Sequence, residues 1–212
     1  MNTFKTPRQI KTQLVKENIL KATTQLIKKY GIEFVTVSNI CKAANVSTGS
    51  FYHHFGNKDE LLAYYLVEAF KDHFLEFEKI NSDDPVTNVL LCYEIYNQFL
   101  LDQGFEFIKN YYTTNNKGLY SHSNHSSAAR LRVPLTSKIH SFFLDGVHKG
   151  FINKDCDINK LMYDLSVIEK GVIFDWCLSE GDYDLKEQVN RLLSNYMLNC
   201  IITDNYRKKY LN

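Results

Sequence analysis

Ser47-Thr48-Gly49-Ser50-Phe51-Tyr52-His53-His54-Phe55 places three hydroxyls, a phenol and two imidazoles within nine residues. Several chemistries could use such a set. Metal binding fails on geometry: neighbouring helix positions point about 100° apart, so His53 and His54 cannot easily share one ion. Catalysis fails on company, because the chain offers no nucleophile, base and orienter in a usable pattern and no Gly-rich phosphate loop. A packed interior would accept Phe51 and Phe55, four apart and so on one helix face, but not the polar rings between them. What remains is a surface segment with its hydroxyls and polar rings turned outward and the Phe pair holding it from behind.

A second histidine pair, His122 and His125 in SHSNHSS, has the i, i+3 spacing that could clamp a metal on a helix, with Cys156 or Asp145 as distant partners. So much Ser and Asn reads instead as a polar loop. No catalytic residue, metal site or cofactor is assigned, and an enzyme is not expected. Cys41, Cys92, Cys156, Cys177 and Cys200 are dispersed, odd in number and lack a CxxC pair, which suits reduced thiols rather than a disulfide framework.

The charge is unevenly placed. Residues 1–60 carry nine Lys or Arg against four acids, a net of +5, and the remainder is then 16 basic against 20 acidic, or −4. A basic head on an acidic body points to a polyanion partner for the head alone. No apolar run approaches the roughly 18 residues of a membrane span, and MNTFKTPRQIK lacks the apolar core of a signal peptide. A cytoplasmic protein with no membrane partner is expected.

With only three Pro and nine Gly in 212 residues, turn makers are scarce and long helices are favoured over a many-stranded sandwich. A first helix is predicted over 9–30, with Leu14 or Val15, Ile19, Ala22, Leu26 and Tyr30 on one face and Gly31 as its stop. Thr36 can cap a second helix and Ser47 a third, over 48–55, after the short turn Asn45-Val46-Ser47. Asn57 caps a long fourth helix running toward Ile80. Two short helices joined by three residues have the layout of a helix-turn-helix. Further helices are predicted at 86–102, 105–115, 127–149, 158–180 and 185–206. The fold class is all-α.

Residues 16–62, KENILKATTQLIKKYGIEFVTVSNICKAANVSTGSFYHHFGNKDELL, resemble the DNA-binding domain of the tetracycline-repressor (TetR) family of bacterial regulators. The shared features are the Ile-Leu-x-Ala helix, Tyr30-Gly31 before Thr-Val, Ile40 with two alanines, Val46-Ser47, Gly-x-Phe-Tyr-x-His-Phe and Asn57-Lys58-Asp59-Glu60-Leu61-Leu62. The resemblance implies a three-helix head over 1–57, joined by a long helix to an effector-binding and dimerisation domain over 58–212. It also implies double-stranded DNA, a palindromic operator, as the partner of a homodimer. Ser47 and Thr48, at the start of the recognition helix, suit phosphate, and Gly49 allows close approach to a base. Ser50 reaches a base or a phosphate. The resemblance assigns Tyr52 to the sugar–phosphate, His54 to a bracing or phosphate role and Lys58 to phosphate. His53 and Thr36 are further candidates, and Lys42 is a plausible backbone contact.

For the rest of the chain the family fixes little. An apolar or aromatic effector of unknown identity is expected among Phe74, Tyr93, Tyr96, Phe99, Tyr111 and His140, in a cavity between bundle helices. Two stripes, Leu161, Leu165, Ile168, Val172 and Trp176, then Val189, Leu192 or Leu193, Tyr196 and Cys200, are expected to pair protomers, with Gly171 permitting close approach. The function read from all this is a ligand-responsive regulator of transcription, a repressor released by its effector. An activator, an effector-free adaptor or a metal-responsive regulator of the same fold is the alternative.

Overall fold

Short polar side chains fix where the first helices begin. In the computed structural model, which describes residues 6–116, 119 and 127–211, Thr6 opens α1 (Pro7–Tyr30) with a reciprocal box to Gln9. Gly31, at φ +80°, ends that helix and donates to the Ile27 carbonyl at 2.9 Å. Thr36 caps α2 (Val37–Ala44), accepting from Asn39 N–H at 3.2 Å. Ser47 caps α3 (Thr48–His54), accepting from Ser50 N–H at 3.1 Å. Asn57 caps α4 (Lys58–Phe70), accepting from Glu60 N–H at 2.8 Å. Between α2 and α3 the chain turns on Asn45, left-handed at φ 52°, while Val46 N–H returns to the Cys41 carbonyl. Ile19, Leu26, Ile32, Val35, Ile40, Phe51 and Phe55 fill the space between these helices. Tyr30 does not join them as its spacing suggests. It lies half out in solvent, its ring tilted against that of exposed Phe34 with centroids 4.7 Å apart.

The long fourth helix predicted to reach Ile80 is broken. A 3-10 turn over Lys71–His73 separates α4 from α5 (Phe74–Glu78). The reason is the fully buried Phe70 ring, which gathers His73 (5.6 Å), Phe74 (5.7 Å), Phe77 (5.6 Å), Tyr96 (5.6 Å) and Phe99 (4.8 Å) around it. Tightening to three residues per turn brings His73 directly over Phe70.

α6 (Pro85–Gln103) starts on Asp84, with Pro85 in its first turn, and packs on α8 (Ser127–His148) and α10 (Leu185–Cys200). α7 (Phe105–Tyr111) stops four residues earlier than the pattern predicts, because the buried Asn116 side chain donates to the Tyr111 carbonyl at 2.9 Å. α9 (Ile158–Leu178) lies against α7, α8 and α10. The helix predicted over 185–206 divides into α10 and α11 (Asp204–Tyr210). Between them β-branched Ile202 and Thr203 leave the helix, and Ile202 forms an antiparallel bridge to Ile152. Apart from that bridge the regular structure among the described residues is helical. None of their helices is long and apolar enough to cross a membrane.

The stripe predicted for pairing is largely the protein's own core. Leu161, Leu165, Val172 and Trp176 are buried, as are Val189 and Leu193 on α10. A different set on α9 is exposed: Tyr163, Val167, Phe174 and Leu178.

Candidate nucleic-acid interface

α3 has two unlike faces. Inward, Phe51 is 0% and Phe55 2% exposed, with ring centroids 6.0 Å apart, and Phe55 meets the Tyr64 ring of α4 at 5.6 Å. Outward, Tyr52 is 53% exposed, and His53, Ser47, Thr48 and Gly49 also lie open to solvent. Ser50 and His54 are half-buried at the boundary. A Cβ built on Gly49 would meet nothing closer than Ser47 Oγ at 3.9 Å, so glycine there leaves the outer surface low rather than relieving an internal clash.

The hydroxyls of Ser47 and Thr36 accept backbone bonds as helix caps, which leaves each hydrogen free to donate outward. Thr36 is exposed and Lys58 half-buried. Lys58 begins α4, where a cation works against the helix dipole. Helix stability therefore does not account for it.

His54 is held below the ordinary imidazole range, first by burial and then by the charges of His53 and Lys16. As a neutral ring near pH 7 it has one donor and one acceptor. The Lys16 ammonium lies 5.5 Å from the Phe55 ring and 5.8 Å from the Tyr64 ring, so α1 is tied to both α3 and α4 by a cation over aromatic faces. In the sequence Lys16 stands out only as charge. Its spacing before Ile19, on the flank of the buried stripe, was the available signal. Lys42 is exposed on α2.

The residues expected to hold an effector are only partly gathered. Phe74, Tyr96 and Phe99 surround Phe70, while Tyr111 stacks with Phe107 and meets Tyr112 on α7. The Tyr96 and Tyr112 hydroxyls share a hydrogen bond of 3.2 Å, joining the two groups. Tyr93 is buried on α6 and His140 half-buried on α8. Phe74 also lines an open groove of about 340 Å³ with Phe77, Glu78, Ser137, Lys138 and Ser141, where Lys138 pairs with Glu78 at 3.2 Å.

Three polar side chains in this region are buried without a signal taken from the sequence: Asn97, Asn116 and Glu169, all 4% exposed or less. Asn97 donates to the Tyr93 carbonyl at 2.8 Å, while its own oxygen has no partner among the described residues. Glu169 could have been found, since it falls four residues after Leu165 and four before Ile173 in the buried stripe. His122 and His125 lie outside the described residues. Among those residues no group of three potential metal ligands occurs.

A second groove, of about 490 Å³, runs along the outside of α9 and α10. Ile168, Gly171, Val172, Tyr183, Leu192 and Tyr196 form most of its wall. A Cβ on Gly171 would meet nothing within 4 Å, so no neighbour within the protomer requires glycine there.

Comparison with known proteins bears on the head and on the fold separately. The family model for bacterial regulatory proteins of the tetR family matches residues 19–65. An uncharacterised HTH-type transcriptional regulator of Haemophilus influenzae is 38% identical over 72 residues, 34% of this chain and 38% of that protein's own length. YhgD of Bacillus subtilis, an uncharacterised HTH-type transcriptional regulator, is 26% identical over 188 residues, 86% of this chain and 94% of its own. FadR of Thermus thermophilus, a TetR family transcriptional repressor solved with lauroyl-CoA, matches with a TM-score of 0.65 at 17% identity, over 86% of this chain and 92% of that one. At that identity the likeness is one of fold. The match over residues 19–65 gives the head the helix-turn-helix of the tetR family of bacterial regulatory proteins, and the all-helical body shares its architecture with solved TetR family proteins.

Proposed function

We propose that the protein represses transcription by binding a palindromic operator as a homodimer, and that a small apolar or aromatic effector releases it. The observation that carries this reading is the division of α3, with Phe51 and Phe55 sealed inside and Tyr52 standing out beside His53. A helix anchored by its back and polar on its front is what a major groove accepts. Tyr52, His54, Lys58, Thr36, Ser47 and Thr48 are assigned to the phosphate backbone, and Gly49, Ser50 and His53 to the base edges. The Thermus thermophilus protein of this fold is a repressor solved with lauroyl-CoA, which supports a repressor that answers to an apolar ligand.

Release would be a population shift: the effector must bind the spacing of heads that misfits the operator more tightly than the one that fits. Two connections are available to carry it. Tyr65 of α4 donates to Gln103 Oε1 of α6 at 2.9 Å and rests on Phe107 of α7 at 5.7 Å. The turn over Ile32–Phe34 packs directly on α7. Helix α7 thus touches both the head and the tyrosine cluster.

The test is the pair Tyr52→Phe with Lys58→Ala, measured for operator affinity across a salt series. Binding should weaken about 10-fold or more on all sequences alike, and the slope of log affinity against log salt should flatten by roughly one for the lost lysine contact. Unchanged affinity and slope would remove both residues from the interface.

A further inference from the structure

The five cysteines fall into two groups. Cys41, Cys92 and Cys177 are buried, and burial pushes the Cys92 thiol up to about 12, which makes it inert. Cys200 is exposed and Cys156 half-buried, and the backbone brings these two to one corner of the fold. Cys200 closes α10, and Ile201 after it accepts from Asn153 N–H at 2.8 Å. Cys156 lies across a tight turn from that same residue, its N–H returning to the Asn153 carbonyl at 3.0 Å. The Asn153 side chain fixes the turn by accepting from Asp155 N–H at 3.0 Å. Each thiol is therefore within a few residues of one hydrogen-bonded crossing.

The groups around them agree with this placement. Burial, Asp157 and Cys200 raise the Cys156 thiol, in that order of weight. The Tyr196 phenol, one turn before Cys200, is pushed up to about 12, first by its hydrogen bond to Asp164 and then by burial, with smaller effects from Cys200 and Cys156. That bond, 2.6 Å from Tyr196 to Asp164, ties α10 to α9 beside the thiols.

We propose that Cys156 and Cys200 form a reversible disulfide when the protein meets a peroxide, closing the outer end of the α9–α10 pair. The exposed Cys200 thiolate attacks one oxygen of hydrogen peroxide, the O–O bond breaks, and the departing hydroxide takes up the proton that Cys200 had released, leaving a sulfenic acid and one water. The Cys156 thiolate then attacks the Cys200 sulfur. The S–S bond forms, hydroxide leaves, and the proton given up by Cys156 turns it into a second water. Two electrons pass from the two thiols to the peroxide, and a dithiol reductant reverses the change. Cys156, raised and half-buried, suits the second step better than the first.

The test uses the full chain, treated with equimolar hydrogen peroxide, alkylated and mapped by mass spectrometry. A peptide pair linked through Cys156 and Cys200, lighter by two hydrogens and lost after dithiothreitol, is expected. Cys41, Cys92 and Cys177 should remain free to alkylate after unfolding. The oxidised protein should also melt several degrees higher, a gain absent in Cys156→Ser. A Cys200–Cys200 link between chains, or sulfinic acid at Cys200 with no link to Cys156, would overturn the proposal. Neither readout involves DNA, so the result stands apart from the operator-binding reading.

Discussion

Phe174→Glu should leave a monomer that has lost its operator. On α9 the exposed apolar residues are Tyr163, Val167, Phe174 and Leu178, with Gly171 completing the series at steps of four, four, three and four. That is the spacing of a helix seam, and it lies beside the groove of about 490 Å³ along α10. An isologous interface uses each residue twice, so one carboxylate per chain becomes two near the two-fold axis, both removed from water. Because Phe174 is 42% exposed in the protomer, its replacement should cost the single chain little stability. Sedimentation should therefore report a folded single subunit. A palindrome held by one head instead of two loses the advantage of linkage, roughly 10²- to 10⁴-fold. A Phe174→Glu protein that stays dimeric with full operator affinity would show that protomers pair through some other face.

That seam shows where the sequence could be read and where it could not. α9 is apolar on two adjoining faces, and Leu161-Leu165-Val172-Trp176 is as regular as Tyr163-Val167-Phe174-Leu178. Periodicity alone cannot tell which of two such stripes faces the protein's own core. The caps Thr36, Ser47 and Asn57 were legible because a cap is a local contract between a side chain and an N–H three residues on. So was the face of α3, which the four-residue spacing of Phe51 and Phe55 decides. Breaks caused by distant partners were not. Nothing near Ile202 announces a bridge to Ile152, fifty residues earlier, and nothing near Phe70 announces that Tyr96 and Phe99 of another helix will crowd its ring. The effector residues suffered most, since every aromatic on a helical period looks alike until the packing separates core from cavity.

The second large effect separates the back of α3 from its front. Phe51→Ala removes a ring with no exposed surface that touches Phe55 at 6.0 Å and the edge of Tyr52 at 5.4 Å. Truncating such a residue typically costs about 3–5 kcal/mol, because the neighbours cannot collapse into the space. The urea midpoint should fall sharply, and operator binding should go with it. Tyr52→Ala, one residue away, should behave in the opposite sense. Its ring is 53% exposed, so the midpoint should hold to within about 0.5 kcal/mol of stability. Operator affinity should nonetheless drop by roughly 10-fold or more, since a lost hydrogen bond to a charged group is worth about 1.5–3 kcal/mol. The contrast is the informative result. A Tyr52→Ala protein with normal stability and normal DNA binding would mean that the outward face of α3 meets something other than a nucleic acid. A Phe51→Ala protein with an unshifted midpoint would mean that the helix is not held from behind at all, and the assignment of its two faces would fall.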